Sequence, residues 1–428
     1  MWSKKYLSAD HLAGFDKYKY TCVDTSWFSS YIMHPFWNWI VKFVPPYVAP
    51  NLITFSGFML TVFNYILIGY YDYYFHVANG TEGYVIPRWV LIVAGINVFV
   101  AYTLDGIDGK QARKTGTSTP LGELFDHGLD SYSSIFIMIY LFSLFGTNDL
   151  PAVRMHFITY CVYLNFYLTH FEKYNTNVLF LPYAYDYVMW SCSFTLLIAG
   201  IFGPKLFVTP IFGITPTVYV ELIMYVSGSL TSHPVIAWNI YKYDMKYKLL
   251  STFFGYPLKL MQQFICRSYR DKTGKMRPMI ELFRPLYPVF GLFAVSTIWL
   301  FLSPNDIMAV DPRMFIMVTG TIFSNISCRL IVAQMSDTRT DGWNSQLWIY
   351  LFAVLICIFP FPLFGYQRLT LVVEKYILYT LVGILSIQHF HYGYSVVSEM
   401  CQHFGIKCFT IKPKQSARDK NGEAMQFV

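Results

Sequence analysis

The sequence has few charged residues, because Asp, Glu, Lys and Arg make up only 13% of its 428 positions. Soluble globular domains contain about 25%, so this shortage excludes an ordinary soluble domain. Paired cysteines are also lacking. The eight cysteines are scattered, without a CxxC pair or a zinc-finger spacing, and we predict neither a disulfide framework nor a zinc site. Residues 1–19 contain no apolar segment, so we expect no cleavable signal peptide.

Apolar and aromatic residues, by contrast, are abundant, at 55% and 19% of the chain. A membrane-spanning helix needs about 20 mostly apolar residues, and ten such stretches can be read along the sequence. We therefore predict an all-α fold, a polytopic membrane bundle of about ten transmembrane helices. The predicted spans are 51–71, 87–108, 121–146, 153–171, 187–203, 217–240, 285–302, 313–335, 346–366 and 371–397.

Lysine and arginine are distributed unevenly between the predicted loops. They concentrate before the first span, after the second, in the loop at 241–284 and in the tail at 398–428, whereas the loops at 72–86 and 303–312 contain none. With ten spans, all the basic segments fall on one side, which the positive-inside rule identifies as the cytosol. We therefore predict that both termini face the cytosol.

The segment before the first span is rich in aromatic residues but too short, and too often interrupted by proline, to cross a membrane. We predict that residues 1–50 form a cytosolic N-terminal segment with an amphipathic helix lying in the membrane interface. The rest of the chain divides into helices with an acidic motif at 51–240, the basic cytosolic loop at 241–284, C-terminal transmembrane helices at 285–397 and a cytosolic tail at 398–428.

Two pairs of aspartates lie where the second predicted span ends and the third begins. Asp105 and Asp108 are three residues apart, and Asp126 and Asp130 are four apart, so each pair shares one face of its helix. A short connection lets an antiparallel helix pair direct all four carboxylates to one point. Two like charges about 4 Å apart repel by about 4 kcal/mol at an effective dielectric of 20, and bound cations remove this repulsion. Oxygen ligands suit Mg²⁺ or Mn²⁺.

Small residues and one arginine are interleaved with these aspartates. Gly109, Ala112 and Gly122 allow a ligand to approach the helix backbone, and Arg113 offers a planar donor fork for phosphate. Aspartates at a membrane boundary are often only solvated helix ends. Two pairs at helical spacing with these neighbours favour a site for metal and phosphate instead.

The segment from Asp105 to Asp130 resembles the signature of the CDP-alcohol phosphotransferase family, DxxDGxxAR followed by eight residues and GxxxDxxxD, and every fixed position matches. The wider chain is similar to the eukaryotic choline/ethanolamine phosphotransferases, and most similar to their ethanolamine branch. The tail at 416–428 lacks the selenocysteine that some vertebrate members carry. The supporting stretches are GFDKYKY at 14–20, HPFW at 34–37, APNLIT at 49–54 and HFEKYNT at 170–176.

This resemblance implies an enzyme of the endoplasmic reticulum or Golgi that transfers phosphoethanolamine from CDP-ethanolamine to diacylglycerol or alkyl-acylglycerol. The products would be phosphatidylethanolamine and CMP, and a two-metal site would hold the pyrophosphate. It also implies a homodimer, and we expect no nucleic-acid partner. A cholinephosphotransferase or a dual choline/ethanolamine enzyme stays open. A cation transporter is the alternative from another class, although transporter sites tend to lie near the bilayer midplane.

The resemblance and the chemistry of individual residues together predict roles in the site. His127 and Asp130 are the candidates for the base that takes the proton of the lipid hydroxyl, and we favour His127 because histidine titrates near neutral pH. Its alternative role is a hydrogen bond to nearby backbone. Glu123 is either next to the site or a solvated flank. The metal ligands are predicted to be Asp105, Asp108, Asp126 and Asp130, and the substrate-binding residues Asn51, Gly109, Ala112, Arg113, Gly122 and Glu172.

Two of these substrate residues have ordinary structural alternatives. Asn51 is expected near the nucleotide, but asparagine is also a common helix cap. Glu172 is expected to receive the ammonium of ethanolamine, which has hydrogen-bond donors. Its alternative is an interfacial acid paired with Lys173 or another cation.

Overall fold

The computed structural model describes residues 4–24, 26–82, 85–181, 184–237, 283–359 and 369–411. The predicted basic loop at 241–284 lies outside these residues except for its last two positions. The tail beyond residue 411, residues 238–240 of the sixth predicted span and residues 360–366 of the ninth also lie outside them.

The described residues fold mainly into α-helices, as predicted. Six described stretches are long and apolar enough to cross a membrane: Pro50–Tyr71, Arg88–Thr115, Pro120–Asp149, Tyr185–Phe202, Pro312–Met335 and Leu371–Phe404. Leu286–Leu302 and Ser345–Ile358 are shorter but apolar. The chain is thus a helical membrane protein, and the count of ten spans stays a prediction. The α-helices in the described part of the chain are α1 Ala9–Lys17, α2 His34–Ile40, α3 Pro50–Tyr71, α4 Arg88–Thr115, α5 Pro120–Asp149, α6 Ala152–Thr176, α7 Ala184–Phe202, α8 Pro216–Val226, α9 Leu286–Leu302, α10 Ile307–Val310, α11 Pro312–Met335, α12 Ser345–Ile358 and α13 Leu371–Phe404.

Several helices end at other positions than the apolar pattern indicates. Helix α4 continues past the predicted end at 108, and α13 past 397, because backbone hydrogen bonds extend a helix into polar sequence. Helix α8 is short and passes into a π-helical turn at Ser227–Ser232. The structure also contains a small element that the all-α prediction lacked: β1, Cys22–Asp24, pairs in parallel with β2, Leu179–Leu181. Three-residue strands are too short to give a periodic signal.

Helix α11 lies at the centre of the bundle and packs against α5, α6 and α13. In the most apolar 18-residue stretch of α11, 89% of the residues are buried. Helix α4 packs against both α3 and α7, and α3 also packs against α5. The two helices that carry the aspartate pairs are therefore each held by several neighbours.

The aromatic segment before the first span packs on helix α4 through one side only. Met33, Trp37 and Val41 are buried, whereas Trp39 and Phe43 are exposed. The contact is close because α4 presents a glycine there, Gly106, on which a Cβ would lie 2.1 Å from the indole of Trp37. An exposed aromatic side is what an interfacial helix would present to a membrane. That this segment lies on a membrane stays a prediction.

Candidate active site

The two aspartate pairs are brought together by the tight connection between α4 and α5. Helix α4 ends before Gly116, which has a φ of +67° in the left-handed region that favours glycine. Helix α5 begins at Pro120, and the side chain of Thr119 caps it by accepting a hydrogen bond from the backbone N–H of Gly122. This local chemistry closes the hairpin within a few residues.

All four aspartates lie in two overlapping groups of potential metal ligands. One ligand atom each from Asp105, Asp108 and Asp126 lies within 4.8 Å of the others, and the same limit holds for Asp126, His127 and Asp130. Asp126 belongs to both groups, so the groups are contiguous. The helical spacing predicted that each pair shares one face of its helix. In the structure the two pairs form a single acidic cluster.

The donor atoms of this cluster fit a divalent cation. The Oδ1 atom of Asp126 is buried and has no hydrogen-bond partner among the described residues. Asp108 is 7% exposed, so water screens its charge poorly. Carboxylates this close together repel one another, and hard cations such as Mg²⁺ and Mn²⁺ prefer oxygen donors of this kind.

Two hydroxyl groups from other helices orient the aspartates of α4. The Thr54 hydroxyl, near the N-terminal end of α3, donates a hydrogen bond to Oδ2 of Asp108. The Tyr185 phenol, at the start of α7, donates to Oδ2 of Asp105 at 2.8 Å. The sequence analysis missed both residues. Thr54 lies inside the APNLIT stretch and so carried a weak signal, whereas nothing in the local sequence around Tyr185 pointed to this contact.

The small residues leave room beside the aspartates. A Cβ at Gly109 would meet Nη1 of Arg113 at 3.6 Å, and a Cβ at Gly122 would meet Oδ1 of Asn51 at 3.7 Å. Both are ordinary contacts with polar side chains. Ala112 is half-buried and Arg113 is exposed on the same stretch of α4. The predicted substrate residues of α3, α4 and α5 therefore border one surface next to the acidic cluster.

Asn51 is the second residue of helix α3, whose N-cap is Ala49 without a side-chain capping bond. The helix-cap alternative for Asn51 is therefore wrong. Its Nδ2 atom contacts the Sγ atom of Cys408 at 3.6 Å instead. Burial raises the pKa of the Cys408 thiol to about 11, so this sulfur is protonated at neutral pH. Asn51 thus links the start of α3 to the segment after α13.

His127 stands between Asp130 and helix α6. Its Nδ1 atom lies 4.0 Å from Oδ2 of Asp130, and its ring meets that of His170 edge to face at 5.1 Å between centroids. Within the described part of the chain, Nε2 of His127 is buried and makes no hydrogen bond. One ring nitrogen therefore faces a carboxylate, while the other is buried without a hydrogen-bond partner among the described residues.

Glu172 is buried, at 1% exposed, but it is in neither group of potential metal ligands. It follows His170 by two residues, about 200° around the helix, so its side chain leaves α6 on the side away from His127. Lys173, which follows it, forms an ion pair with Glu123 of α5. Glu123 is buried, so the interpretation as a solvated flank is wrong.

The part of the chain that carries both aspartate pairs is similar to known proteins. Residues 47–228, which include both aspartate pairs, match the model of the CDP-alcohol phosphatidyltransferase family. The chain is 41% identical to human "Ethanolaminephosphotransferase 1" over 414 residues, which is 96% of each chain, and 40% identical to the mouse protein of that name over the same shares. It is 28% identical to "Choline/ethanolaminephosphotransferase 1" of Arabidopsis thaliana, over 96% of this chain and all of that relative. The chain belongs to the CDP-alcohol phosphatidyltransferase family.

Proposed function

We propose that the protein transfers phosphoethanolamine from CDP-ethanolamine to the free hydroxyl of diacylglycerol or alkyl-acylglycerol, giving phosphatidylethanolamine and CMP. The observation that carries this proposal is the acidic cluster shared by α4 and α5, in a chain 41% identical over 96% of its length to an ethanolaminephosphotransferase. The choline/ethanolamine relative is less similar, at 28% identity, which favours ethanolamine as the main headgroup.

In this proposal the four aspartates Asp105, Asp108, Asp126 and Asp130 hold two divalent cations, Mg²⁺ or Mn²⁺. When bound, such cations neutralise the pyrophosphate and the charge that develops on the departing CMP phosphate. Thr54 and Tyr185 fix two of the carboxylates from outside. The donor would lie along the surface bordered by Gly109, Ala112, Arg113, Gly122 and Asn51, with the Arg113 guanidinium directed at phosphate oxygens.

His127 accepts the proton of the lipid hydroxyl in this mechanism. The hydroxyl oxygen forms a bond to the phosphorus that carries ethanolamine, the bond from that phosphorus to the CMP oxygen breaks, and the proton passes to Nε2 of His127. Asp130 lies 4.0 Å from the Nδ1 atom and stabilises the protonated ring. Asp130 is the alternative base, but holding a cation would weaken its basicity.

We further propose ten spans, with the active site and both termini on the cytosolic side of the endoplasmic reticulum or Golgi membrane, and a homodimer. The N-terminal end of α3 contacts the C-terminal end of α4 through Thr54 and Asp108. The C-terminal end of α6 contacts the N-terminal end of α5 through Lys173 and Glu123. The Lys and Arg residues that precede α3 and those at the end of α4 therefore adjoin the aspartates in the chain, which supports that orientation.

The test of the proposed function is an assay of the purified protein with CDP-ethanolamine and CDP-choline side by side, with diacylglycerol and with or without Mg²⁺ or Mn²⁺. We expect release of CMP and formation of phosphatidylethanolamine only with metal, and faster turnover with CDP-ethanolamine. Faster turnover with CDP-choline would make it a cholinephosphotransferase. Ion flux across vesicles without CMP release would instead favour the transporter alternative.

Glu172 is proposed to receive the ethanolamine ammonium, although its side chain leaves α6 away from His127. If it does, Glu172→Gln raises the KM for CDP-ethanolamine more than the KM for CDP-choline. The reason is that the ammonium of ethanolamine has N–H donors for a carboxylate, whereas the headgroup of choline has none. Equal changes in both KM values would remove this role and leave Glu172 as a structural acid.

A further inference from the structure

Helices α5 and α6 meet in two successive layers at the aspartate end. In the inner layer, His127 of α5 packs against His170 of α6. In the outer layer, Glu123 of α5 pairs with Lys173 of α6. Residues three or four apart lie one turn apart on the same helix face, so the layers are adjacent and the helices antiparallel. The outer pair therefore sets the position along α6 at which His127 is held.

The outer ion pair is almost completely buried, with the Lys173 side chain 1% exposed and that of Glu123 6% exposed. Lysine and glutamate are rarely buried this far unless they are paired. A buried ion pair adds little net stability compared with an apolar pair of the same size, because desolvation of the two charges offsets their attraction. What such a pair does provide in some proteins is a defined register between helices.

Glu123 also collects donors from two other parts of the chain. The Tyr18 hydroxyl of the N-terminal segment and Nε2 of Gln334 on α11 both donate to its carboxylate. The Lys173 ammonium lies 4.6 Å from the ring centroid of Tyr20 and 5.7 Å from that of Tyr18. Burial, with the Glu123 charge adding to it, raises the pKa of Tyr18, so the phenol stays a donor. Four elements thus converge one turn from His127.

The N-terminal segment that supplies Tyr18 is itself fixed to the helices. The backbone N–H groups of Tyr6 and Leu7 donate to the two carboxylate oxygens of Glu399 on α13, at 2.9 and 3.1 Å. Gly14 lies flat on the end of α11, where a Cβ would be 1.9 Å from a backbone carbonyl oxygen. The N-terminal segment therefore holds Tyr18 in place beside Glu123 through its own contacts with α13 and the end of α11.

We propose that Glu123 and Lys173 are positioning residues for the transfer reaction, and that Tyr18 secures them from the N-terminal segment. They hold α5 in register with α6, so that Nε2 of His127 points at the lipid hydroxyl. This inference rests on the proposed function and on the role of His127 in it. Neither residue of the pair is among those proposed to border the donor, which are Gly109, Ala112, Arg113, Gly122 and Asn51.

The test is a double-mutant cycle with Lys173→Met, Glu123→Gln and the double variant, measured as kcat and KM per folded enzyme. We expect each single variant to lower kcat by about 10- to 100-fold, the loss typical of a reacting group displaced by about 1 Å. The KM for CDP-ethanolamine should stay within about threefold, since the donor surface is untouched. The double variant should be no worse than the poorer single variant, because the two residues act as one unit.

Two more variants keep the test decisive if a buried substitution prevents folding. Tyr18→Phe leaves the ion pair in place and removes one donor, so kcat should fall by a smaller factor in the same direction. Arg154→Met breaks the ion pair between Arg154 and Glu221 at the opposite end of α6, and kcat should be unchanged. The thermal shift produced by CMP with Mn²⁺ should be the same in Lys173→Met as in the parent protein.

Three outcomes would overturn the inference. An unchanged kcat with only lower thermal stability would make the pair purely structural. A raised KM at constant kcat would place it in donor binding, and multiplicative losses in the double variant would show two independent effects. An inactive parent protein would instead refute the proposed function, so the two failures are distinguishable.

Discussion

Gly106 lies next to the acidic cluster on α4, and the structure leaves no room there for the methyl group of an alanine. Alanine would otherwise be favoured at this position, because it stabilises a helix interior more than glycine does. A Cβ there would be 2.1 Å from Cε2 of Trp37 and 2.5 Å from two further indole atoms, whereas carbon atoms in contact are about 3.5–4.0 Å apart. Trp37 is buried, at 5% exposed, and cannot turn aside without moving α2. Gly106→Ala should therefore destabilise the protein by about 1–3 kcal/mol or more, as overpacking does.

Gly109 of α4 and Gly122 of α5 provide matched controls. The nearest atoms to a Cβ at these positions are 3.6 and 3.7 Å away, so alanine fits the free protein. Alanine also favours a helix interior over glycine by about 1 kcal/mol, which makes a loss of stability in Gly106→Ala attributable to the clash alone. Gly109→Ala and Gly122→Ala should keep or raise thermal stability but raise the KM for CDP-ethanolamine, because the donor is proposed to occupy that space.

The assay is thermal unfolding of the three purified variants in one detergent, followed by kinetics with CDP-ethanolamine. A Gly106→Ala protein as stable as its parent would refute the close packing of α2 on α4. Equal losses of stability in all three variants would refute the open surface beside Gly109 and Gly122.

Three further substitutions test the surroundings of the acidic cluster. Thr54→Val removes the hydrogen bond to Asp108, and because such bonds to charged groups contribute about 1.5–3 kcal/mol, the Mn²⁺ concentration for half-maximal activity should rise about tenfold. Tyr185→Phe should act in the same direction through Asp105. An unaltered metal titration in both variants would contradict the orienting role of these hydroxyls. His127→Asn should lower kcat by about 10²- to 10⁴-fold while CMP binding, followed by its thermal shift, persists. Near-normal turnover would point to Asp130 as the base.

The acidic cluster was accessible from the sequence because its determinants are local. Helical spacing places Asp105 with Asp108 and Asp126 with Asp130, and the residues between the pairs include a glycine that ends one helix and a proline that starts the next. No tertiary information is needed to bring the four carboxylates to one place once these two helices form a hairpin.

The partners of the cluster were not accessible, because they come from distant parts of the chain. Tyr185 reaches Asp105 across 80 positions, and Tyr18 reaches Glu123 across 105. Such contacts depend on how the bundle packs, which single-sequence patterns do not encode. The same limit explains why the cap alternative for Asn51 was open, because local propensity allowed a role that the fold gives to Ala49.

Binding of divalent cations by the four aspartates can be measured by an electron paramagnetic resonance titration of the purified protein with Mn²⁺ in the presence of CMP. We expect two saturable Mn²⁺ ions per chain, as in two-metal sites that bind phosphate. Because Asp126 belongs to both ligand groups, Asp126→Asn should weaken both, whereas Asp130→Asn should leave one intact. A parent protein without saturable Mn²⁺ binding, or an Asp126→Asn variant that binds Mn²⁺ as the parent does, would show that these aspartates are not the metal ligands.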